Sequence, residues 1–583
     1  MSQTVPGINV CSGVVFGPAF IYCPEPLQPS ESQLPNRAAI AEQQALFHEA
    51  IAYLYQKYSA CLSNLNTQDA SQAPQAQLLD AILLWLEDDE MQQAVEDAIS
   101  RYQFTAIAAV THVFNAYAED IAALDDSYLA SRSHELTGLS HRLCLYLRGQ
   151  TLEISDIVEP VILCCQELTP AEFILLDLTK ISGLVMSHCG LTSHTVILAR
   201  SAGLPTLINC DYLAAGVTNG QAIMLDTPKH CLVIAPEPWR QEYSLAWQQQ
   251  QQANHTLFSQ QRTLPCQTLD GSAITLLTNV GNQADITQGR ELGSQGVGLL
   301  RTELMFINAP TLEDEERQFH AYCQAIAQLQ GDILTVRTLD VGADKPLKAI
   351  DLPAEANPAL GMRGIRYTLR HQQVLMPQLR ALLRAAHLGP IRLMFPMLSQ
   401  VEELDALVDC INACQQQLTQ RQQVFGDVSI GVVIETPAAA MLLHALLPRL
   451  SFISIGTNDL NQYLQGADRG HPQLSSQFPA LNPALLSLMA TIRLQASQAE
   501  VNCGICGEIA SDPRATALLL GMGFTELSVN IDSLGQIKSN ILGLRLDECR
   551  TLATQALSLP RMSTLNQCLD NFNQHAGLRF LPS

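Results

Sequence analysis

At 583 residues the chain exceeds one ordinary domain, and three or four are expected. A 47% hydrophobic content supports large cores, and 33 Gly and 29 Pro in this length exclude wholesale disorder. A formal charge of −23 with no basic stripe excludes a general nucleic-acid binder and leaves a solvated acidic surface that could steer a basic partner.

The 17 cysteines are scattered and odd in number, and several lie inside apolar runs such as VILCC at 161–165. That is how buried thiols look in a reducing compartment. The start of the chain lacks a basic segment followed by an apolar one, and no apolar run reaches about 18 residues. A cytoplasmic protein with no membrane insertion is expected.

Residues 1–25 alternate apolar and small side chains and read as one or two strands with a glycine turn. A Pro- and Ser-rich loop follows at 24–35. From 36 to 148 the period becomes helical: Leu78, Leu79, Ile82, Leu83 and Leu86 share a face, followed by Met91, Val95 and Ile99. About four helices are expected there. The acidic run EDDE at 87–90 suits a helix N-cap or a partner contact.

Strands return at 161–166, 181–187, 206–209, 222–226 and 231–235, with one helix at 195–201. This small α/β domain spans 150–236 and is completed by residues 1–25, so the helical segment at 30–148 is an insertion. Residues 237–263, Gln-rich and almost without Gly or Pro, suit a linker helix.

Eight short apolar segments then recur at 274–280, 297–300, 333–339, 391–397, 430–434, 452–455, 502–505 and 526–529, with helical or loop stretches between them. Eight such segments over 264–545 predict a (β/α)8 barrel. Polar residues follow their C-terminal ends, the face where barrel active sites form. The tail, 546–583, has apolar residues at helical spacing and no evident role.

Three constellations carry chemistry. The barrel mouth gathers Arg301, Arg337, Lys345, Arg363 and Arg469 with Asp340, Glu435, Asp459 and Glu508. Guanidinium forks bind phosphate and carboxylate oxygens in pairs, so a small multiply charged anion fits. Glu435 and Asp459 suit Mg²⁺, which one or two carboxylates commonly hold together with substrate oxygens. Cys503 and Cys506 match CxxC, but zinc would need a second ligand pair and a thioredoxin-like motif would open a helix. Cys506 at a strand end can instead serve as a general acid or as a structural thiol, while Cys503 reads as structural.

The third is GLTSHTVILAR at 190–200, where His194 stands as a Gly/Ser/Thr turn opens an apolar helix. Backbone N–H groups and hydroxyls there can cradle phosphate oxygens, and a neutral imidazole is a good nucleophile toward phosphorus. On this stretch alone, a capping histidine fits as well. A metal site of His188, Cys189 and His194 lacks converging further ligands.

Taken together, TSHTVILAR (192–200), GLLRTE (298–303), RTLDVGADK (337–345), NPALGMR (357–363), ETPAAA (435–440), GTNDLNQY (456–463), Asp468-Arg469 and CGE (506–508) resemble enzyme I of the bacterial phosphoenolpyruvate-dependent sugar phosphotransferase system. The likeness runs to about residue 545. It implies an α/β multidomain fold: a phosphohistidine α/β swivelling domain, an inserted helical subdomain that docks a carrier, a linker helix and a phosphoenolpyruvate-binding barrel. It also implies Mg²⁺ held by Glu435 and Asp459, and phosphoenolpyruvate held by Arg301, Arg337, Asn458, Asp459 and Arg469, with Arg363 and Lys345 in the binding set. His194 would become the phosphohistidine intermediate, and Cys506 would protonate the enolate to pyruvate. The phosphoryl group would pass to a histidine of a small phosphocarrier (HPr-like), the first step of sugar uptake, and the barrel would form a homodimer.

Two departures stand out. The family usually writes two glycines, often with an Arg, before Thr-Ser-His, where this chain has Cys189, Gly190 and Leu191. Its docking helix typically carries several acids and a histidine, whereas AQLLDAILLWLED at 76–88 has few acids and no histidine. A paralogue serving a dedicated carrier, like the enzyme I module of multiphosphoryl transfer proteins, accounts for the second. Pyruvate phosphate dikinase and phosphoenolpyruvate synthase share the histidine domain and barrel, but need an ATP-binding domain for which this chain has no room. A non-catalytic phosphoenolpyruvate sensor would lack His194, Cys506 or the metal carboxylates, and all are present.

Overall fold

The computed structural model describes residues 2–22, 33–34, 39–64, 73–122, 133–149, 159–189, 193–306, 311–342, 355–469, 471, 474 and 477–578. The chain divides into two units, 1–252 and 253–580, with residues 581–583 grouped with the first.

In the first unit, the opening segment forms three strands rather than one or two: β1 (Gln3–Pro6), β2 (Ile8–Cys11) and β3 (Val14–Tyr22). Short polar breaks near Gly7 and Gly13 separate them, too brief for periodicity to register. With β4 (Val161–Cys165), β5 (Ile181–Met186), β6 (Thr206–Ile208), β7 (Ala222–Asp226) and β8 (Cys231–Ile234) they make one sheet in the order β1-β8-β7-β3-β4-β5-β6-β2. β3 pairs parallel with β4 and antiparallel with β7, so it joins a parallel half to an antiparallel half. All five residues of β4 are buried, as expected of a strand covered on both faces.

Between β3 and β4 the structure shows five helices among the described residues, not four: Ile40–Asn64, Ala73–Leu86, Asp89–Tyr102, Ala106–Ala122 and Ser133–Leu147. The apolar run through Leu86 and Met91 reads as continuous, but Asp88 breaks it. Asp88 has extended backbone, and its carboxylate accepts from the Met91 N–H at 3.0 Å. The acidic run is therefore, at least in part, an N-cap. These helices have their own core around Phe47, Leu54, Leu79, Ile82, Val95 and Leu139.

A long helix, Pro238–Gln261, leads into the second unit. Here β9 (Thr275–Val280), β10 (Gly296–Arg301), β11 (Ile333–Arg337), β12 (Ile391–Phe395), β13 (Ser429–Ile434), β14 (Phe452–Ile455), β15 (Asn502–Ile505) and β16 (Glu526–Asn530) close into an all-parallel barrel. Helices around it bury its outer face in one large core. Cys503 lies inside β15, buried in that core.

The tail continues this packing. Helices Leu546–Leu557 and Met562–His575 place Leu552, Ala553, Ala556, Leu565 and Leu569 in the barrel's own core. Their apolar stripes pack there as amphipathic helices do. Among the described residues, no helix is long and apolar enough to cross a membrane.

Candidate active site at the barrel mouth

Parallel strands of a barrel all end on one face, so residues just past those ends converge. Arg301 closes β10, Arg337 closes β11, Glu435 follows β13 and Cys506 follows β15. Asn458 and Asp459 lie in the first turn of the helix Thr457–Gln465 after β14. A cavity of about 590 Å³ brings together Arg301, Arg337, Glu435, Asn458, Asp459 and Arg469, with Cys506 and Glu508 also on its wall.

Arg363 does not line this cavity. It is wholly buried, with guanidinium nitrogens 2.9 Å from Asp459 Oδ1 and 3.2 Å from Asp340 Oδ2. It also donates to the Tyr463 hydroxyl at 3.2 Å. Its two terminal nitrogens are spent on carboxylates and a phenol, which makes it a support for Asp340 and Asp459, while its Nε has no hydrogen-bond partner among the described residues. Lys345 lies outside the described residues.

Charges alternate across the mouth. Glu303 pairs with Arg337, Arg337 lies 3.2 Å from Asp340, Asp340 meets Arg363, Arg363 meets Asp459, and Asp459 lies 3.4 Å from Arg469. Such a chain keeps buried charges paired, which is the condition for tolerating them away from water. Arg469 is its exposed end, with its side chain 32% accessible. Arg337 Nε and Thr457 Oγ1 are buried and have no hydrogen-bond partner among the described residues. A buried guanidinium donor with no acceptor is what an anion would satisfy.

Glu435 is almost fully buried and accepts the backbone N–H of Met397 at 2.6 Å. Met397 sits at φ 60°, a left-handed conformation costing about 1–2 kcal/mol for an L residue. This conformation is not signalled by the sequence, and it offers that N–H to Glu435. Gly456 makes room beside Glu435, since a Cβ there would lie 2.9 Å from Glu435 Oε2. Burial, then repulsion from Asp459 and Asp340, pushes the Glu435 carboxyl up to about 8, although Arg337 and Arg363 pull against this.

Two carboxylates that face one cavity and repel each other fit a divalent cation, which would offset that repulsion. No cluster of three or more His, Cys, Asp or Glu ligands occurs among the described residues, so a cation here would draw its other ligands from water or substrate oxygens. That is the usual habit of Mg²⁺.

Cys506 lies deep in the barrel beside Leu299, Met394, Val433 and Phe452. Burial pushes its thiol up to about 11, so it keeps its proton at neutral pH. Asn458 Oδ1 accepts the Glu508 N–H at 2.9 Å, which leaves the amide nitrogen as the end able to serve a ligand.

In the first unit, His194 opens the helix His194–Ser201, and Ser193 caps it by accepting from the Val196 N–H. Thr195 donates its hydroxyl to the Leu168 carbonyl at 2.6 Å, tying that helix to the loop after β4. The cysteine that departs from the family pattern, Cys189, has its Sγ 3.0 Å from Ser193 Oγ. Residues 190–192 lie outside the described residues.

A parallel eight-stranded barrel with paired carboxylates and arginines at its mouth, alongside an α/β domain with a histidine-led helix, defines the phosphoenolpyruvate-utilising class. Three family models match: the PEP-binding domain of PEP-utilising enzymes over residues 255–546, their N-terminal domain over 6–132 and their mobile domain over 157–229. The phosphoenolpyruvate-protein phosphotransferase of Haemophilus influenzae is 32% identical over 576 residues, covering 97% of this chain and 99% of that protein. The one from Staphylococcus carnosus is 31% identical over 584 residues, covering 99% of this chain and 100% of its own. The chain belongs to the phosphoenolpyruvate-protein phosphotransferase, or enzyme I, family.

Proposed function

We propose that this protein takes the phosphoryl group of phosphoenolpyruvate onto His194, releases pyruvate, and passes the group to a histidine of a small HPr-like carrier. The observation that carries this reading is the convergence of Arg301, Arg337, Asn458 and Arg469 on one cavity with Glu435, Asp459 and a protonated, buried Cys506.

In this mechanism the arginines hold the phosphate and carboxylate of phosphoenolpyruvate, and Arg337 Nε takes one of their oxygens. The transfer requires an imidazole to approach the phosphorus in line. The phosphorus–oxygen bond of the enol ester breaks as the bond to the His194 ring nitrogen forms. The leaving enolate takes the Cys506 thiol proton at C3 and becomes pyruvate. Glu435 and Asp459 would hold Mg²⁺, which when bound neutralises phosphate charge. Arg363 orients Asp459.

The inserted helices are the carrier-docking surface in this reading. The helix Ala73–Leu86 carries a single acid, Asp80, and exposes Leu84 at 67%. A carrier recognised there relies more on apolar contact than on charge, which favours a dedicated carrier. Sugar uptake as the end of the relay, a homodimer through the barrel, a cytoplasmic setting and the domain limits given above belong to the same proposal.

Without a carrier, phosphoenolpyruvate and Mg²⁺ should yield a burst of pyruvate equal to the enzyme and then stop; adding the accepting carrier should restart turnover. Steady pyruvate release without any acceptor would contradict the proposal.

A further inference from the structure

Cys506 is held by its peptide as well as by its side chain. Its N–H donates to the Ile455 carbonyl of β14 at 3.1 Å. On the other side, the β15–β16 seam is the weakest of the barrel: its register holds a single pair, Ile505 with Leu527, while every other seam holds three or more. Among the described residues, no strand ladder reaches the Cys506 carbonyl from β16. The amide of Asn279, on β9, does so instead, donating from Nδ2 at 3.2 Å.

That amide is itself locked. Ser528 Oγ donates to Asn279 Oδ1 at 2.7 Å, and Asn279 Nδ2 lies 3.4 Å from Asn530 Oδ1. A flipped amide would set its oxygen against the Cys506 carbonyl and the Asn530 oxygen, so the network selects one orientation. Asn279 and Ser528 are both buried, where an unmade polar bond is costly. The Asn279 carboxamide does not line the cavity, so it has no direct use to a ligand there.

We propose that Asn279, locked by Ser528, is a positioning residue that aims the Cys506 thiol at one face of the enolate. This rests on the reading of Cys506 as the proton donor. Closing a weak barrel seam alone would not require that the bond end on the residue carrying the acid. Releasing the Cys506 carbonyl lets that residue tilt, and a sulfur displaced by a fraction of an ångström delivers its proton late or to either face.

The test is stereochemical. Phosphoenolpyruvate deuterated at one C3 position is turned over in tritiated water, and the configuration of the pyruvate methyl is read. The wild type should give one configuration. Asn279→Ala and Ser528→Ala should drift toward the racemic product, with kcat down roughly tenfold and KM for phosphoenolpyruvate within about twofold. Cys506→Ala separates the two claims. If it retains a single configuration, the proton-donor reading fails; if it loses configuration while Asn279→Ala keeps full stereochemical purity and kcat, only the positioning role fails. Should Asn279→Ala not fold, Ser528→Ala, which removes one hydroxyl, carries the test, and full purity in that variant overturns the proposal.

Discussion

Arg363 donates to Asp459 at 2.9 Å from a position with no solvent exposure, and the same guanidinium reaches Asp340 at 3.2 Å. Gly364, at φ 54°, sets the turn just after it, and a Cβ there would press on Met397 at 2.9 Å. The arginine is therefore fixed by backbone as well as by charge. Replacing it with Met should leave Asp340 with Arg337 alone and Asp459 with Arg469 alone, and destabilise the barrel by about 3 kcal/mol, read by chemical denaturation. Arg469→Met, at the exposed end of the same chain of charges, should weaken phosphoenolpyruvate binding with less than about 1 kcal/mol lost in stability. Equal stability losses in the two variants would contradict this division of roles.

The Cys506 thiol, raised to about 11 by burial in the barrel, should resist alkylation near neutrality. Its reaction rate with iodoacetamide should still be climbing at pH 9 to 10, because only the thiolate attacks. Mass spectrometry of the peptide that carries Cys506, across a pH series, gives the profile. A plateau below pH 8 would mean a thiolate poised for another chemistry.

Glu172 is a buried carboxylate in the first unit that accepts from Tyr22 at 3.1 Å and from the Thr169 N–H at 2.9 Å. Burial pushes it up, but the His141 and Thr169 hydrogen bonds and Arg142 outweigh that and hold it below the usual carboxylate range. A depressed pKa means the folded state binds fewer protons than the unfolded one. Its stabilisation is thus present above the ordinary carboxylate pKa and lost as pH falls through the folded value. Melting curves between pH 6 and pH 3 should show a steeper fall for wild type than for Glu172→Gln; parallel curves would refute the assignment.

Glu435→Gln and Asp459→Asn should each remove most Mg²⁺-dependent turnover. Calorimetric titration of Mg²⁺ in the presence of phosphoenolpyruvate should show the loss at the binding step. Unchanged Mg²⁺ affinity in both variants would place the metal elsewhere.

Much of this was legible from residues alone, for a physical reason. Each barrel strand is a short apolar run because it is buried on both sides, and each ends where the chain meets the polar mouth, so Arg301, Arg337, Glu435 and Cys506 declare themselves by position. Arg363 does not, because spacing cannot say whether a guanidinium turns into the cavity or behind it. Asn279 is silent too, since an asparagine near a strand end reads as a turn until its partner across the barrel is seen. The tail's stripe of Leu552, Leu565 and Leu569 shows that a face is buried but not against what.

The most direct test is to label the protein with ³²P-phosphoenolpyruvate and Mg²⁺ and map the phosphate. The account predicts a single acid-labile, base-stable phosphate on His194, absent from His194→Ala and present on wild type before any carrier is added. Label that survives His194→Ala, or that resists acid, would contradict it.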